Sequence, residues 1–299
     1  MMSELPLDQV RTLLAVVDEG TFDAAAAALH VTPSAVSQRV KALEQRTGRV
    51  LLQRTKPVQP TESGEVLVRF ARQLARLERD ARGELGMSGA GEPTRVSVAV
   101  NADSLATWFL GALTRVPQEP RLCFELRRED EDHTAALLRE GLVMAAVTSS
   151  PEPVPGCSVR ALGRMRYLPV ASPAFAAAHL GGPLRDALAG APVVVFDRRD
   201  DFQDAFVRTL SNGRAAASAL RHHVPTSEGF AQAVAAGLGW GMVPEAQADP
   251  LLRTGCLVRL TPGRSVDMPL FWQQWKLDSP ALAAMAEAVV ATAAETLHG

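Results

Sequence analysis

The chain has 299 residues, of which 47% are hydrophobic and 21% charged, with a formal net charge of −2. This composition excludes a disordered chain and a uniformly basic protein, and the length predicts two or three domains with sizeable cores. The N-terminus shows no signal-like segment and no apolar stretch reaches bilayer length, so we expect a cytoplasmic protein without a membrane partner. Cys123, Cys157 and Cys256 are far apart and lack metal-ligand spacing, which predicts free thiols and no metal site.

Two helices are predicted at the start of the chain. Apolar residues recur at helical spacing between Leu7 and Val17, and Gly20 ends that pattern. Thr21 is a suitable N-cap for a second helix over residues 22–29. This second helix would be the first half of a helix-turn-helix.

A third helix is predicted to begin at Thr32 and Pro33, because threonine can accept a backbone N–H as N-cap and proline suits the first helical position. Val36, Val40 and Leu43 follow at helical spacing and would bury one face. The start and the opposite face of the helix carry the predicted DNA contacts, namely Thr32, Pro33, Ser34, Ser37, Gln38, Arg39 and Lys41. The pattern favours a helix that enters the major groove of double-stranded DNA over the simpler alternative of a solvated helix face.

A two-stranded wing is predicted next, with a strand over residues 50–55 and Pro57 and Pro60 marking its turns. Arg54 and Lys56 would there meet phosphate or the minor groove. The charge changes sign near residue 30, because residues 30–60 contain a single acidic residue, Glu44, among clustered basic ones. Such clusters gain affinity for DNA by releasing counterions.

One long helix is predicted over residues 61–85. Its apolar residues recur in steps of three and four, the pattern of a coiled-coil seam: Leu67, Phe70, Leu74, Leu77 and Ala81. The arginines are predicted to lie outside the seam, in solvent: Arg69, Arg72, Arg76, Arg79 and Arg82. We therefore expect a dimerisation helix, with packing on its own domain as the alternative, and a glycine-rich hinge before Pro93.

Strands and helices alternate from residue 94 onward, which predicts mostly parallel sheets covered by helices. Near the end of the chain, the sequence predicts a strand at residues 269–272 and a last helix at residues 281–297. This strand is separated by many residues from the earlier strands. We therefore expect two α/β lobes joined by crossovers, with a small-ligand cleft between them.

The predicted fold thus has an all-α N-terminal part and an α/β C-terminal part. The domains are a winged helix-turn-helix at residues 1–60, a linker helix with hinge at 61–92, and a ligand-binding domain at 93–299. The lobes of the last domain would span residues 93–163 with 268–299, and residues 164–267.

The segment SAVSQRVKALEQRTG, at residues 34–48, resembles the DNA-binding half of the LysR-type transcriptional regulators, and the resemblance covers essentially the whole chain. Within that family, the C-terminal half is similar to the lysine- and arginine-responsive regulators of basic amino-acid export, the LysG/ArgP type. The matching pieces are VNADSLATW (100–108), VVFDRRDD (194–201), TSEGF (226–230), MVP (242–244) and LTPG (260–263).

The resemblance implies a winged helix-turn-helix, a linker helix and a two-lobed, periplasmic-binding-protein-like effector domain. It implies a regulator that senses L-lysine or L-arginine and controls an amino-acid exporter gene, with a different effector as the alternative. The implied partners are promoter DNA, RNA polymerase and further copies of the chain in a homodimer or homotetramer. No cofactor is implied besides the effector.

A basic amino acid needs donors for its carboxylate and acceptors for its ammonium groups. Helix N-termini suit the carboxylate, and the predicted strand-to-helix turns supply three, beginning at Asn101, Asp200 and Thr226. The expected effector-binding residues are Asn101, Ser104, Thr226 and Ser227 beside the carboxylate, Asp103, Glu129, Asp197 and Asp201 beside the ammonium groups, and Thr148 at the cleft wall. The simpler interpretation of each Asp or Ser before a helix is an N-cap, and Asp200 is expected to be an exposed loop charge.

Two other classes of protein are disfavoured. An enzyme is disfavoured because the sequence lacks a G-x-S-x-G elbow, a phosphate loop and an HExxH pair. A solute-binding protein fits the two-lobed half alone, but the DNA-binding segment and the lack of a visible signal peptide argue against it. We therefore expect a regulator without enzymatic activity.

Overall fold

The computed structural model of the chain describes residues 5–85, 87, 93–117, 121–128 and 131–299. The N-terminal part contains α1 (Leu7–Glu19), α2 (Phe22–Ala28), α3 (Pro33–Thr47), β1 (Leu52–Gln53), β2 (Gln59–Pro60) and α4 (Glu62–Glu84). The predicted helix ends are confirmed, since Gly20 ends α1 with φ of 71° and the hydroxyls of Thr21 and Thr32 cap α2 and α3.

The wing is shorter than the predicted strand at residues 50–55. Only Leu52–Gln53 pairs with Gln59–Pro60, in antiparallel register. The Leu51 amide instead donates to Glu44 Oε1 at 2.9 Å, and the Val50 carbonyl accepts from the Thr61 hydroxyl at 2.7 Å. Because these backbone groups bind side chains near the ends of α3 and α4, they are not available for pairing between strands. Only two residues of the predicted strand therefore pair.

The first core is built by α1, α2 and α3 with the beginning of α4. Its buried residues include Val10, Leu13, Val36 and Leu43, and Leu67 of α4 packs among them. The expectation that Leu67 belongs to an open seam is therefore wrong, because its side chain is needed to close the N-terminal core.

The C-terminal part begins at Thr94. Its first lobe contains β3 (Thr94–Val100), α5 (Ala102–Ser104), a π-helical turn (Leu105–Phe109), α6 (Leu110–Leu113), β4 (Leu122–Arg128), α7 (Glu131–Glu140) and β5 (Ala145–Thr148). The chain continues through β6 (Cys157–Ala171), α8 (Pro173–His179), α9 (Leu184–Gly190), β7 (Val193–Val195), α10 (Phe202–Leu210), β8 (Arg221–His223), α11 (Ser227–Ala235), β9 (Gly241–Pro244), α12 (Glu245–Arg253) and β10 (Val258–Arg259). It returns through β11 (Val266–Trp275) and ends with α13 (Pro280–Thr296).

The main sheet is mixed. β3 lies parallel between β4 and β5, β11 is antiparallel to β5 and β6, and β6 also pairs antiparallel with β9 and β10. β7 and β8 form a separate parallel pair. The prediction of mostly parallel sheets is wrong for the main sheet, because β6 was not recognised: Gly163, Pro169 and several arginines interrupt its apolar pattern.

β6 and β11 are the crossovers between the lobes. They pair from Cys157–Trp275 in the first lobe to Tyr167–Val266 in the second. The second lobe has its own core around Leu168, Val194 and Val243. The predicted two-lobed α/β architecture is confirmed. Among the described residues, no helix combines the length and apolarity needed to cross a membrane.

Candidate functional site

The exposed face of α3 is polar. The Thr32 hydroxyl accepts the Ala35 N–H at 3.2 Å and lies 3.0 Å from the Ser34 hydroxyl, while Pro33 occupies the first helical position. The predicted contact residues that are exposed are Thr32, Pro33, Ser34, Ser37, Gln38 and Lys41. This face presents hydroxyl, amide and ammonium groups, which can bond base edges and phosphates.

Arg39 differs from these neighbours because it is half-buried against α1. Its Nη1 lies 3.5 Å from the Thr12 hydroxyl, and its Nε lies 3.9 Å from the Asp8 carboxylate. Both distances are long for direct contacts, so the guanidinium is held weakly at the edge of the face.

The wing presents Arg54 and Lys56, and both side chains are exposed. Its tip is held by the Thr55 hydroxyl, which donates to the Pro57 carbonyl at 2.7 Å. The two cations therefore stand on a constrained loop, where they add positive charge to the N-terminal part.

α4 carries an exposed apolar stripe. Val66 is 51% exposed, Phe70 37% and Leu77 40%, with half-buried Leu74 between them. Large apolar side chains that are exposed in a row along one face of a helix indicate a surface for association with another protein chain. The stripe differs from the predicted seam by starting at Val66 in place of Leu67.

A neighbouring face of α4 docks on the C-terminal part. Arg69 Nη1 donates to the Arg139 carbonyl at 3.2 Å, and Arg72 donates to the Glu140 carbonyl and to Asp18. Arg76 is 3% exposed, where solvent exposure was expected, and donates to Asp80 and to the Arg95 carbonyl at 2.6 Å. The expectation of solvated arginines is wrong for Arg76, because its guanidinium binds the Arg95 carbonyl and the Asp80 carboxylate at the domain junction.

A cavity of about 370 Å³ lies between the two lobes. Residues following β3 form one wall, the loop between β7 and α10 forms another, and the crossover strands contribute Tyr167 and Met268. Of the predicted effector residues, the cavity brings together Asn101, Asp103, Asp197, Asp201 and Ser227. Carboxyl ends of strands are the usual position of ligands in α/β folds.

Asp103 is the most enclosed carboxylate of the cavity. It accepts hydrogen bonds from the Tyr167 hydroxyl at 2.7 Å and from the Ser227 hydroxyl at 2.5 Å. Burial raises the pKa of Asp103, the hydrogen bonds from Ser227 and Tyr167 oppose that rise, and the charge of Glu228 adds to it. The two hydroxyl donors therefore orient the carboxylate without neutralising its charge, which suits it to bind an ammonium group.

The loop after β7 is held in its conformation by hydrogen bonds from its backbone N–H groups to its own aspartates. Asp197 Oδ1 accepts the N–H groups of Arg199 at 2.7 Å and Asp200 at 3.1 Å. Asp200 accepts those of Phe196 at 2.7 Å and Phe202 at 3.0 Å. Asp200 is half-buried and burial raises its pKa, so the expectation of an exposed loop charge is wrong.

Asp201 is exposed at the start of α10. Its carboxylate lies 3.7 Å from Arg208, which is too long for a strong ion pair. The cavity lining therefore includes four aspartates and Arg199, together with aromatic and methionine side chains such as Phe196, Phe202 and Met242. Acidic groups combined with apolar walls suit a cation on an aliphatic stem.

The other predicted effector residues lie outside this lining. The Asn101 side chain, itself in the lining, caps α5 by accepting the Ser104 N–H at 3.1 Å, and Ser104 is buried behind it. Thr226 is exposed and caps α11 by accepting the Gly229 N–H at 3.2 Å. The buried Thr148 hydroxyl donates to the Ser150 carbonyl at 3.0 Å. Glu129 lies outside the described residues.

Several lining residues were not found from the sequence: Tyr167, Phe196, Phe202, Gln203, Phe230, Met242 and Met268. Tyr167 is the only tyrosine of the chain, which is a usable signal for a buried polar contact. The aromatic and methionine residues look like core residues until the lobes are placed, and the polar Gln203 carries no signal of its own.

Two family models match the chain. The one described as bacterial regulatory helix-turn-helix protein, lysR family, covers residues 7–65, and the LysR substrate binding domain covers residues 89–294. LysG from Mycobacterium tuberculosis, an HTH-type transcriptional regulator, is 48% identical over 97% of this chain and 94% of its own length. The lysine export transcriptional regulatory protein LysG from Corynebacterium glutamicum is 44% identical over 97% of this chain and 98% of its own.

A solved structure has the same arrangement. Full-length LysG from Corynebacterium glutamicum with bound effector arginine superimposes with a TM-score of 0.86 at 41% identity, covering 98% of this chain and 100% of that one. The matched halves, the relatives and the shared fold together show that the chain belongs to the LysR family of bacterial transcriptional regulators.

Proposed function

We propose that this regulator senses a basic amino acid, L-lysine or L-arginine, in the cavity between its lobes and controls the gene of an amino-acid exporter. The observation that carries the proposal is Asp103, a buried carboxylate held by two hydroxyl donors without a cationic partner among the contacts that fix it. The names of the LysG relatives and the arginine in one of them support the same effector class.

The groups around Asp103 match an α-amino acid. The α-ammonium can bind Asp103, while the α-carboxylate faces the N-terminus of α11, a nine-residue helix that begins at Ser227 beside that aspartate. The aliphatic part of the ligand would pack on Phe196 and Phe202, and its cationic end would lie near the acidic loop at residues 197–201.

Such a ligand would contact both lobes, because Asp103 belongs to the first lobe and the acidic loop belongs to the second. It shifts the arrangement of the lobes only by binding one arrangement more tightly than the other. The docked arginines of α4 offer a route from the first lobe to the DNA-binding part.

On DNA, α3 would enter the major groove through Ser34, Ser37 and Gln38, with Lys41 and Arg39 at its edge. Arg54 and Lys56 would contact phosphates from the wing. The exposed stripe of α4 would pair two chains, and further pairing of effector domains would give a tetramer. RNA polymerase would be the partner at an activated promoter, and the protein would act in the cytoplasm.

Calorimetric titration of the full chain with a panel of amino acids tests the effector class. We expect L-lysine and L-arginine to bind with one site per chain, and L-glutamate and L-phenylalanine to give no heat. Four aspartates in the lining disfavour an anionic effector. Binding of L-glutamate in place of both basic amino acids would overturn the effector and leave the family's DNA-binding role intact.

A further inference from the structure

The two crossover strands are irregular at one place between the lobes. On β11, Leu270 lies opposite Gly163 of β6. The next residue, Phe271, lies opposite Ala161, so β6 carries one extra residue at this point. Gly163 itself has φ of 126°, a conformation that residues with a side chain rarely adopt. Such a bulge interrupts the ladder and bends the strand, and irregular positions of this kind absorb changes of backbone angle when two lobes move.

The C-terminal tail, residues 297–299, lies across this bulge. The His298 N–H donates to the Arg164 carbonyl at 3.0 Å, and the Arg164 N–H donates to the His298 carbonyl at 2.7 Å. A Cβ atom at position 163 would lie 2.9 Å from the His298 carbonyl oxygen and 3.0 Å from Leu297 Cβ. Glycine at position 163 therefore lets the tail approach the backbone of β6 closely.

The tail joins the two lobes. It follows α13, which packs on β3, α6 and the π-helical turn of the first lobe. The His298 imidazole contacts the second lobe, because its Nε2 lies 2.8 Å from Glu245 Oε2 at the start of α12. A carboxylate only accepts hydrogen bonds, so Nε2 is the donor. The last helix of the first lobe is thereby connected to a helix of the second lobe over the bulge.

The helix that receives the tail is also in contact with the cavity. Gln247 follows Glu245 by two positions in α12, and its side chain lies 3.1 Å from the Ser227 hydroxyl. That hydroxyl donates to Asp103 of the first lobe. The tail and the contact across the cavity therefore restrain the same element of the second lobe.

We propose that residues 297–299 form a strap that holds the two lobes in the described arrangement, across the bulge at Gly163. An effector that moves the lobes works against this strap. A contact that stabilises one arrangement adds to the free energy that the preference of a ligand for another arrangement has to supply. The inference does not depend on which effector binds.

Distances between spin labels on the full chain test the strap without any effector. Cys123 in the first lobe and Cys256 in the second are exposed and accept the labels. Cys157 is buried, and burial raises the pKa of its thiol to about 11, so it stays unlabelled. Mixing labelled chains with an excess of unlabelled ones leaves the distance within one chain as the signal.

The test variant is a chain shortened by His298 and Gly299, which removes both backbone hydrogen bonds and the imidazole contact. We expect a narrow distribution of distances in wild type and a broader one in the shortened chain. His298→Ala removes the imidazole contact alone and should broaden the distribution less. This variant carries the test if the shortened chain does not fold.

Glu287→Gln is the matched control. It breaks the 2.9 Å ion pair between α13 and Arg160, which lies on the first-lobe side of the bulge. We expect it to leave the distribution as narrow as in wild type. An unchanged distribution in the shortened chain, or in His298→Ala where that variant carries the test, would overturn the strap. Equal broadening in Glu287→Gln would do so too, because the effect would then come from loosening α13 in general.

Discussion

The Ser227 hydroxyl donates to a carboxylate oxygen of Asp103 at 2.5 Å, and this bond joins the two lobes across the cavity. A second bond nearby has the same effect, because Arg128 Nη1 donates to the Pro225 carbonyl at 3.0 Å. The turn before α11 is thus fastened to the first lobe at two points. An ammonium group that binds Asp103 has to share or displace the Ser227 hydroxyl, so ligand binding acts directly on the contact between lobes.

Asp103→Asn removes the charge that attracts the ligand and keeps the shape of the side chain. We expect the affinity for L-lysine to fall about a hundredfold or more, because charge-assisted hydrogen bonds in a buried site are strong. Asp201→Asn is the matched control, since Asp201 lines the cavity but is exposed. Calorimetry should show less than about a threefold change for it. Equal losses in both variants would mean that only the overall charge of the cavity matters.

The affinity for lysine should fall as the pH is lowered from neutral toward the raised pKa of Asp103. Burial raises the pKa of Asp103, so the free protein takes up a proton there at a higher pH than an ordinary aspartate, whose pKa is about 3.9. A bound ammonium stabilises the carboxylate, so binding releases that proton. Asp103→Asn should flatten the pH profile, leaving the share of Asp200, whose pKa burial also raises. A profile that is identical in wild type and variant would contradict this assignment.

Leu77→Asp should weaken association of the chain. Leu77 is 40% exposed within the apolar stripe of α4, and a charge there would be desolvated on pairing. Sedimentation should show a smaller assembly than wild type, and binding to promoter DNA should weaken with it. Arg79→Ala changes an exposed side chain of the same helix and should preserve the assembly. An unaltered assembly in Leu77→Asp would exclude the stripe as the interface.

The two parts of the DNA-binding surface should respond differently to truncation. Gln38→Ala, on the exposed face of α3, is expected to cost about 1–3 kcal/mol at the cognate site and little on random duplex. Arg54→Ala, on the wing, should weaken binding to both sequences and reduce the salt slope by about 1. Fluorescence anisotropy on both duplexes at several salt concentrations measures these effects. Loss of specificity from the wing variant alone would reverse the assignment.

Arg76→Ala should destabilise the chain by about 3 kcal/mol or more, because it leaves the Asp80 carboxylate and the Arg95 carbonyl without a buried donor. The thermal midpoint of unfolding measures the loss. Arg79→Ala, on an exposed part of the same helix, should change stability by less than about 0.5 kcal/mol. Equal midpoints for the two variants would show that the junction contributes nothing to stability.

Local features of the chain could be predicted from the sequence where one residue decides the conformation. Thr32 with Pro33 and the glycine at position 20 fixed the ends of helices correctly, because capping depends on neighbouring residues alone. β6 could not be recognised, since its exposed arginines and Pro169 are tolerated only through pairing with β9, β10 and β11. Arg76 was misplaced for the same reason: its partner Arg95 lies in another domain.

In the site, too, the residues whose positions depend on contacts between distant parts of the chain could not be predicted. Asp103, Asp197 and Ser227 could be selected as polar residues at strand ends, and the cavity brings them together. Tyr167 and Gln203 could not, because they reach the cavity through a crossover strand and a helix face whose positions depend on how the lobes pack. The same rule of strand ends also predicts Thr148 at the cavity wall, but its hydroxyl donates to the Ser150 carbonyl and the residue lies outside the lining.

The central claim is that a basic amino acid binds at Asp103 in the regulator while the protein holds its promoter. Calorimetric titration of the DNA-bound full chain with L-lysine and with L-arginine tests this most directly. The account predicts saturable heat with one site per chain from at least one of them, at an affinity that Asp103→Asn lowers about a hundredfold or more. Absence of heat from both ligands, in wild-type protein that still binds the promoter fragment, would contradict it.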